Sequence, residues 1–336
     1  MDIKNTLFSL SHAVSLGTIT EARDLAFEIL SKFADCKKYD NLTVVGTIKG
    51  ADSSRRIMLD AHIDEVGMIV TDVDDKGFLT VAKCGGLDLR GLSAREVIIH
   101  GSTPVHGVFC STPPHLSSGD TEYTDIANLK IDTLLGADAK DIVSVGDYVT
   151  FYAQPKDLIG SRVTGKAFDD RAGVVCLLEL AERLSRTTPP CDIVFVLSDA
   201  EELGLRGSKT ATFDIDPDEA IAIDVSFANA PDVGDCGELS KGAMVGISPS
   251  LDGTISKKLI AIAKQNNIPY QTEVMGGKTG TNGDVISTSK GGVKTGLISI
   301  PLRNMHTTSE VIDLEDIKSV CDILEKYILA GGVLDA

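Results

Sequence analysis

Apolar and polar positions follow two different periods along this chain, and the period changes twice. Near the start, residues 17–33 (GTITEARDLAFEILSKF) place Ala22, Leu25, Ala26 and Ile29 on one helical face, which predicts an amphipathic helix. Leu42–Ile48 reads as a strand, and Arg56–Leu59 as a second that runs into DAHIDEVG. From about residue 72 to 160 the pattern shortens to FLTVA, EVIIHG, VHGVFC and DYVTFY, separated by Gly, Pro and Asp turns. Helix signals are almost missing there, so a small β domain inside the chain is expected. From about 165 the longer period returns. Arg171–Leu184 is predicted helical, with Val174, Leu177, Leu178, Ala181 and Leu184 inward, and Ile193–Leu197, Ile221–Val225 and Gly296–Leu302 read as buried strands. Asp313 is the expected N-cap of a last helix whose inner face is Leu314, Ile317, Cys321, Leu324 and Ile328. Glu315 and Asp316 fall in its first turn, where negative charge suits the helix dipole.

Apolar strands alternating with helices imply a sheet covered on both sides. The expected fold is therefore α/β, a mixed sheet flanked by helices. The expected division is a catalytic domain in two parts, residues 1–70 and 163–336, around a β insert over 71–162.

Composition narrows the class. A chain of 336 residues can bury one large core or two. Trp is absent, which removes the usual stacking platform for sugars or bases, and a formal charge of −17 would repel a phosphate backbone, so no nucleic-acid partner is expected. Seven Cys with no C-x-x-C pair read as free thiols in a reducing compartment. The N-terminus lacks a secretory pattern and no apolar run is long enough to span a bilayer, so a cytoplasmic location and no membrane partner are expected.

The candidate chemistry lies at strand ends. His62 follows IML, Glu201 and Glu202 follow IVFVL, Asp224 closes AIAI, and His306 follows LISIPL. Open α/β sheets build their sites at the carboxyl ends of strands. Each piece alone has an ordinary reading. His62-Ile63-Asp64 is a common tripeptide, Asp169-Asp170 can cap a helix, and Glu201-Glu202 can be a solvated loop. Asp224 is flanked by apolar residues, so its carboxylate needs a partner. Together these residues form an N/O donor set without thiols, suited to Zn²⁺, Co²⁺ or Mn²⁺. Three carboxylates (Asp169, Glu202, Asp224) and two imidazoles (His62, His306) exceed what one tetrahedral ion needs. Two ions sharing one bridging carboxylate use them all. In an extended segment Asp64 shares a face with His62 and could fix its tautomer.

Other candidates are set aside. His12, His100, His106 and His115 read as structural or solvent-facing. Cys36 and Cys236 have no neighbouring base, and Ser198 and Ser208 sit in no G-x-S-x-G elbow. Gly276–Gly280 lacks the P-loop spacing.

The order of these motifs resembles the tetrahedral aminopeptidases, co-catalytic metallopeptidases that include glutamyl and deblocking aminopeptidases, some of them labelled endoglucanase M or cellulase. The matching segments are DAHIDEVGMIV (60–70), PPH (113–115), GKAFDDRAGV (165–174), SDAEELGLRGS (198–208), AIDVSFAN (222–229), GTNGD (280–284) and NMHTTSE (304–310). The resemblance implies a dinuclear zinc exopeptidase-like fold with a PDZ-like insert that builds dimers and then a dodecamer. It implies that His62 and Asp224 bind one metal ion, Glu202 and His306 the other, and that Asp169 bridges them. Glu201 would be the general base acting on a metal-bridging water, and Asp64 would orient His62. The implied activity is removal of N-terminal residues from peptides, with two Zn or Co ions per subunit.

The chain departs from the family pattern at SLGTITEARD, at Gly280-Thr281-Asn282-Gly283 where Gly-Thr-Asp-Ala is usual, and at Arg303-Asn304-Met305 before His306. No departure removes a ligand. Two rivals are weighed. A glycoside hydrolase needs two carboxylates across a sugar cleft, which the missing Trp and the ligand-type His oppose. A non-catalytic assembly protein would have no use for Glu201.

Overall fold

Eight strands form one mixed sheet in a computed structural model that describes residues 1–116, 125–231, 233–234 and 236–333. Residues 117–124 of the expected insert, and the last three of the chain, lie outside the described residues. Across the sheet the strands run Asp35–Lys38, Val44–Ile48, Cys191–Ser198, Asp52–His62, Glu219–Phe227, Lys294–Leu302, Ala243–Ile247 and Tyr270–Val274. The four central strands, from Cys191–Ser198 to Lys294–Leu302, are mutually parallel. The outer strands join them through an antiparallel pairing on each side.

Side-chain alternation divides the sheet's faces. Ile57, Leu59 and Ala61 join one apolar cluster with Phe195, Ile221 and Ile223, under the helices Ile3–His12, Glu21–Leu30, Phe168–Leu184, Gly253–Gln265 and Leu314–Leu329. Met58, Val194, Val196, Ala220 and Ala222 point the other way, toward the helices Arg206–Ile215 and Gly283–Ile286. The period of two does this, since neighbouring residues of a strand face opposite sides. His62 and Asp224 continue the parity of Met58 and Ala222, on the more thinly covered face.

Six further strands, Gly67–Val73, Leu79–Cys84, Glu96–His100, Pro104–Phe109, Ile131–Asp132 and Tyr148–Phe151, close into a barrel. Every neighbouring pair whose register is defined is antiparallel. Val70, Leu79, Val97, Phe109 and Val149 fill it as a cluster separate from the sheet's. No helix among the described residues is long and apolar enough to cross a membrane, and all seven cysteines are unbridged.

Several boundaries differ from the sequence pattern. The helix expected over 17–33 spans only Glu21–Leu30, because Gly17 takes φ +56° in a turn and a Cβ there would strike the Tyr148 ring. Asp224 lies inside its strand instead of closing it, since pairing continues to Phe227 opposite Leu302. His62 is the last residue of a strand that begins at Asp52. Asp313 does cap the last helix, accepting from the Glu315 N–H at 3.0 Å.

Candidate metal centre

Asp169 joins the two imidazoles. Its Oδ1 lies 3.0 Å from His62 Nε2 and its Oδ2 3.1 Å from His306 Nε2. Asp224 Oδ1 stands 4.0 Å from His62 Nε2, and Glu202 Oε1 stands 3.0 Å from His306 Nε2. Two triplets result, His62–Asp169–Asp224 and Asp169–Glu202–His306, each with its ligand-type atoms within 4.8 Å of one another. A third triplet of the same kind is His62–Glu201–Glu202.

Local folding explains these positions. Asp169 and Asp170 are not helical (ψ 108° and 41°), so the regular helix starts at Arg171. Asp170 turns inward, where it accepts the Gly173 N–H at 3.0 Å and the His62 N–H at 3.3 Å. That leaves Asp169 to face the cleft. Asp64 accepts the backbone N–H groups of Glu201 at 3.0 Å and Glu202 at 3.3 Å. It also stands 3.5 Å from His62 Nδ1, long for a hydrogen bond. So Asp64 organises the Glu201-Glu202 turn at least as firmly as it orients the ring.

Three participants were not visible in the sequence pattern. The Gly86 carbonyl, just past the barrel strand Leu79–Cys84, lies 2.5 Å from His306 Nδ1. Glu310 accepts the N–H groups of Phe168 (2.7 Å), Asp169 (3.2 Å) and His306 (2.8 Å), which locks both sides of the site together. Glu273 lines the same cavity from the edge strand Tyr270–Val274. A backbone carbonyl has no sequence signature, and Glu310 stands out in the sequence only as the end of NMHTTSE.

The electrostatics call for a cation. His306 gives its Nδ1 proton to Gly86, so a neutral ring turns the Nε2 lone pair toward oxygens of Asp169 and Glu202. Acceptors cannot share such a space unless something positive stands between them. A proton can do so. Burial opposes a charged His306, yet Asp169 and Glu202 raise it to about 11, and Asp169 and Asp64 likewise hold His62 well above its ordinary value. Burial pulls the Asp169 carboxyl upward, but the two imidazoles hold it well below the usual range. Asp224 is raised well above it by burial and by Asp170, and burial lifts Glu201 to about 7. A divalent cation answers the same need with more charge, and the donors are the N and O types that hold Zn²⁺ or Co²⁺.

The remaining histidines lie elsewhere. His100 bonds Thr150 Oγ1 at 2.9 Å, His106 meets the Tyr152 ring edge-on, and His12 and His115 are exposed. The glycine-rich segment Gly276–Gly280 has no P-loop spacing, but Thr279, Gly280 and Thr281 wall the cavity. Asn282, where the family pattern has Asp, donates to Asp60 Oδ1 at 2.6 Å and Ser198 Oγ at 2.9 Å.

Comparison with known proteins points one way. A family model described as M42 glutamyl aminopeptidase matches residues 43–323. A lysyl aminopeptidase of Pyrococcus furiosus is 32% identical over 323 residues, which cover 91% of this chain and 90% of the relative. An aminopeptidase of the archaeon Desulfurococcus kamchatkensis superposes with a TM-score of 0.91 at 30% identity, over 99% of both chains. The TET1 peptidase of Pyrococcus horikoshii, described as assembling into a tetrahedron or a large octahedral shell, gives 0.86 at 28% identity over 97% of this chain and 99% of its own.

Proposed function

The chain belongs to the M42 glutamyl aminopeptidase family, and from that premise we propose that it removes N-terminal residues from peptides at a two-cation centre held by His62, Asp169, Glu202, Asp224 and His306. Membership makes it a hydrolase acting on peptides. The observation that carries the finer reading is the pair of donor triplets sharing Asp169 at one end of a cavity of about 300 Å³.

His62 with Asp224 would hold one ion, Glu202 with His306 the other, and Asp169 both. Two such ions would supply the positive charge that acidifies an attacking water and polarises the scissile carbonyl. Glu201 borders the cavity without being needed as a ligand, and burial has already made its carboxylate a better base. It would take the proton from the attacking water and pass it to the leaving amine. Asp64 holds the Glu201 backbone, and Glu310 holds the backbones of Asp169 and His306.

The same reading divides the chain into a catalytic domain and a PDZ-like insert that joins copies of the chain, with the expected boundary at 70/71 moved to Gly67, where the first barrel strand begins; the barrel's separate apolar cluster supports it. Seven unbridged cysteines support a reducing, cytoplasmic setting.

The test is metal analysis of the purified protein together with a panel of aminoacyl chromogenic substrates, with and without added Zn²⁺ or Co²⁺. About two ions per chain and metal-dependent release are expected. EDTA should abolish activity, which separates this reading from a two-carboxylate glycosidase. Absence of stoichiometric metal together with no release from any substrate would sink it.

A further inference from the structure

Beyond the donor triplets, the cavity runs along the sheet face to Glu273. Phe227, Leu297 and Met305 are among the residues that line it, and among the described residues no Lys or Arg does. Strand register explains how an edge residue reaches so far inward. Asp224 lies opposite Ser299, Ser299 opposite Met244, and Gly246, two residues along from Met244 on the same face, opposite Glu273. Gly246 has no side chain to obstruct the route, and a Cβ there would lie 2.9 Å from the Leu297 Cβ. The Glu273 carboxylate therefore crosses its neighbouring strand and accepts the hydroxyls of Ser299, at 3.0 Å, and Ser226.

Those two hydroxyls pin the carboxylate but leave it lone pairs to spare. No cation pairs with it among the described ion pairs, although it is only half-buried and faces the cavity. Asp224, across the strand from Ser299, sets its distance from the donor triplets at about one or two strand spacings, ~5–10 Å. A four-carbon side chain bridges that span. The arrangement is an apolar passage ending in a fixed negative charge.

We propose that Glu273 closes the pocket for the side chain of the substrate's N-terminal residue and selects Lys and Arg there. This rests on the aminopeptidase reading above. The apolar walls take the methylene stem, and the carboxylate takes the ammonium or guanidinium head. A Glu or Asp side chain would bring a second negative charge against Glu273 and is rejected.

The experiment measures kcat/KM of the metal-loaded protein on p-nitroanilides of Lys, Arg, norleucine and Glu, beside calorimetric binding of free L-lysine and L-norleucine. Norleucine has the lysine stem without the charge. The Lys-to-norleucine ratio should be about 10–100, as a charged hydrogen bond gives. In Glu273→Gln the ratio should fall toward one, with the thermal midpoint checking that the variant is folded. A wild-type ratio near one, or a ratio that Glu273→Gln leaves unchanged, overturns the proposal. Turnover of norleucine without a gain for Lys overturns this proposal and leaves the peptidase reading standing. No turnover at all, with lysine and norleucine binding alike, overturns both.

Discussion

Asp169 meets one imidazole with each of its oxygens, so both oxygens are needed as acceptors. Asp169→Asn replaces one oxygen by a donor. We expect it to lose both ions, read by metal analysis as a fall from about two per chain to none. Asp169→Asn protein that retained two ions would remove the bridge. Glu201→Gln should behave oppositely, keeping the metal content while turnover drops about 10²–10⁴-fold, as loss of a positioned base does. Residue chemistry was legible here because carboxylates and imidazoles are scarce at buried strand ends, and their order along the chain stood out. What stayed illegible was the support: Gly86 acts through its backbone, Glu310 through three N–H groups, and Glu273 through a register crossing that needs the strand order first.

At the scale of elements, the first turn of the last helix does more than answer a dipole. Asp316 is buried there and accepts the N–H groups of Ser240, at 2.8 Å, and Gly242, at 2.7 Å, tying the helix to a loop. Burial raises its carboxyl to about 6 from an ordinary 3.8. The folded chain therefore keeps this proton to a higher pH than the unfolded chain does. Stability contributed by the protonated form is present below about pH 4 and is lost as pH rises through about 6. The loss should be about 1–3 kcal/mol, and burial raises Asp60 and Asp199 to about 6 in the same direction. Urea unfolding at intervals from pH 4 to 7 should show this slope, flatter in Asp316→Asn; an identical slope in that variant would remove Asp316 as a cause. In the helix Phe168–Leu184, Leu177 is fully buried, so Leu177→Ala should cost about 2–5 kcal/mol in the same assay. That helix and the central strands were legible because their periods are long and uninterrupted. The sequence pattern marks neither the helices Ile3–His12 and Gly253–Gln265 nor the strands Gly67–Val73, Ala243–Ile247 and Tyr270–Val274 as elements. The edge strand in particular has no buried residue, only half-buried and exposed ones, so its place is set by its partner more than by its own pattern.

For the whole molecule, the alternation of long and short periods carried the α/β class, but barrel closure was out of reach. Closure depends on the pairing of Gly67–Val73 with Tyr148–Phe151, segments far apart in sequence. The expected self-association is tested by sedimentation, which should give a particle many times heavier than the 35.6 kDa chain. A monomer at micromolar concentration would count against the barrel as a joining module.

The hydrogen bond from His306 to Gly86 spans two parts of the molecule with separate cores, the sheet and the barrel. Tilting the barrel moves the acceptor on Nδ1, and with it the basicity of Nε2, the nitrogen turned toward Asp169 and Glu202. Such a coupling is reciprocal by thermodynamic necessity. If contact between copies steadies the barrel, assembly tightens the grip on metal, and metal strengthens assembly by the same factor. A dilution series would then show ion release and dissociation as one transition, whereas two well-separated transitions would mean that the two parts are energetically independent.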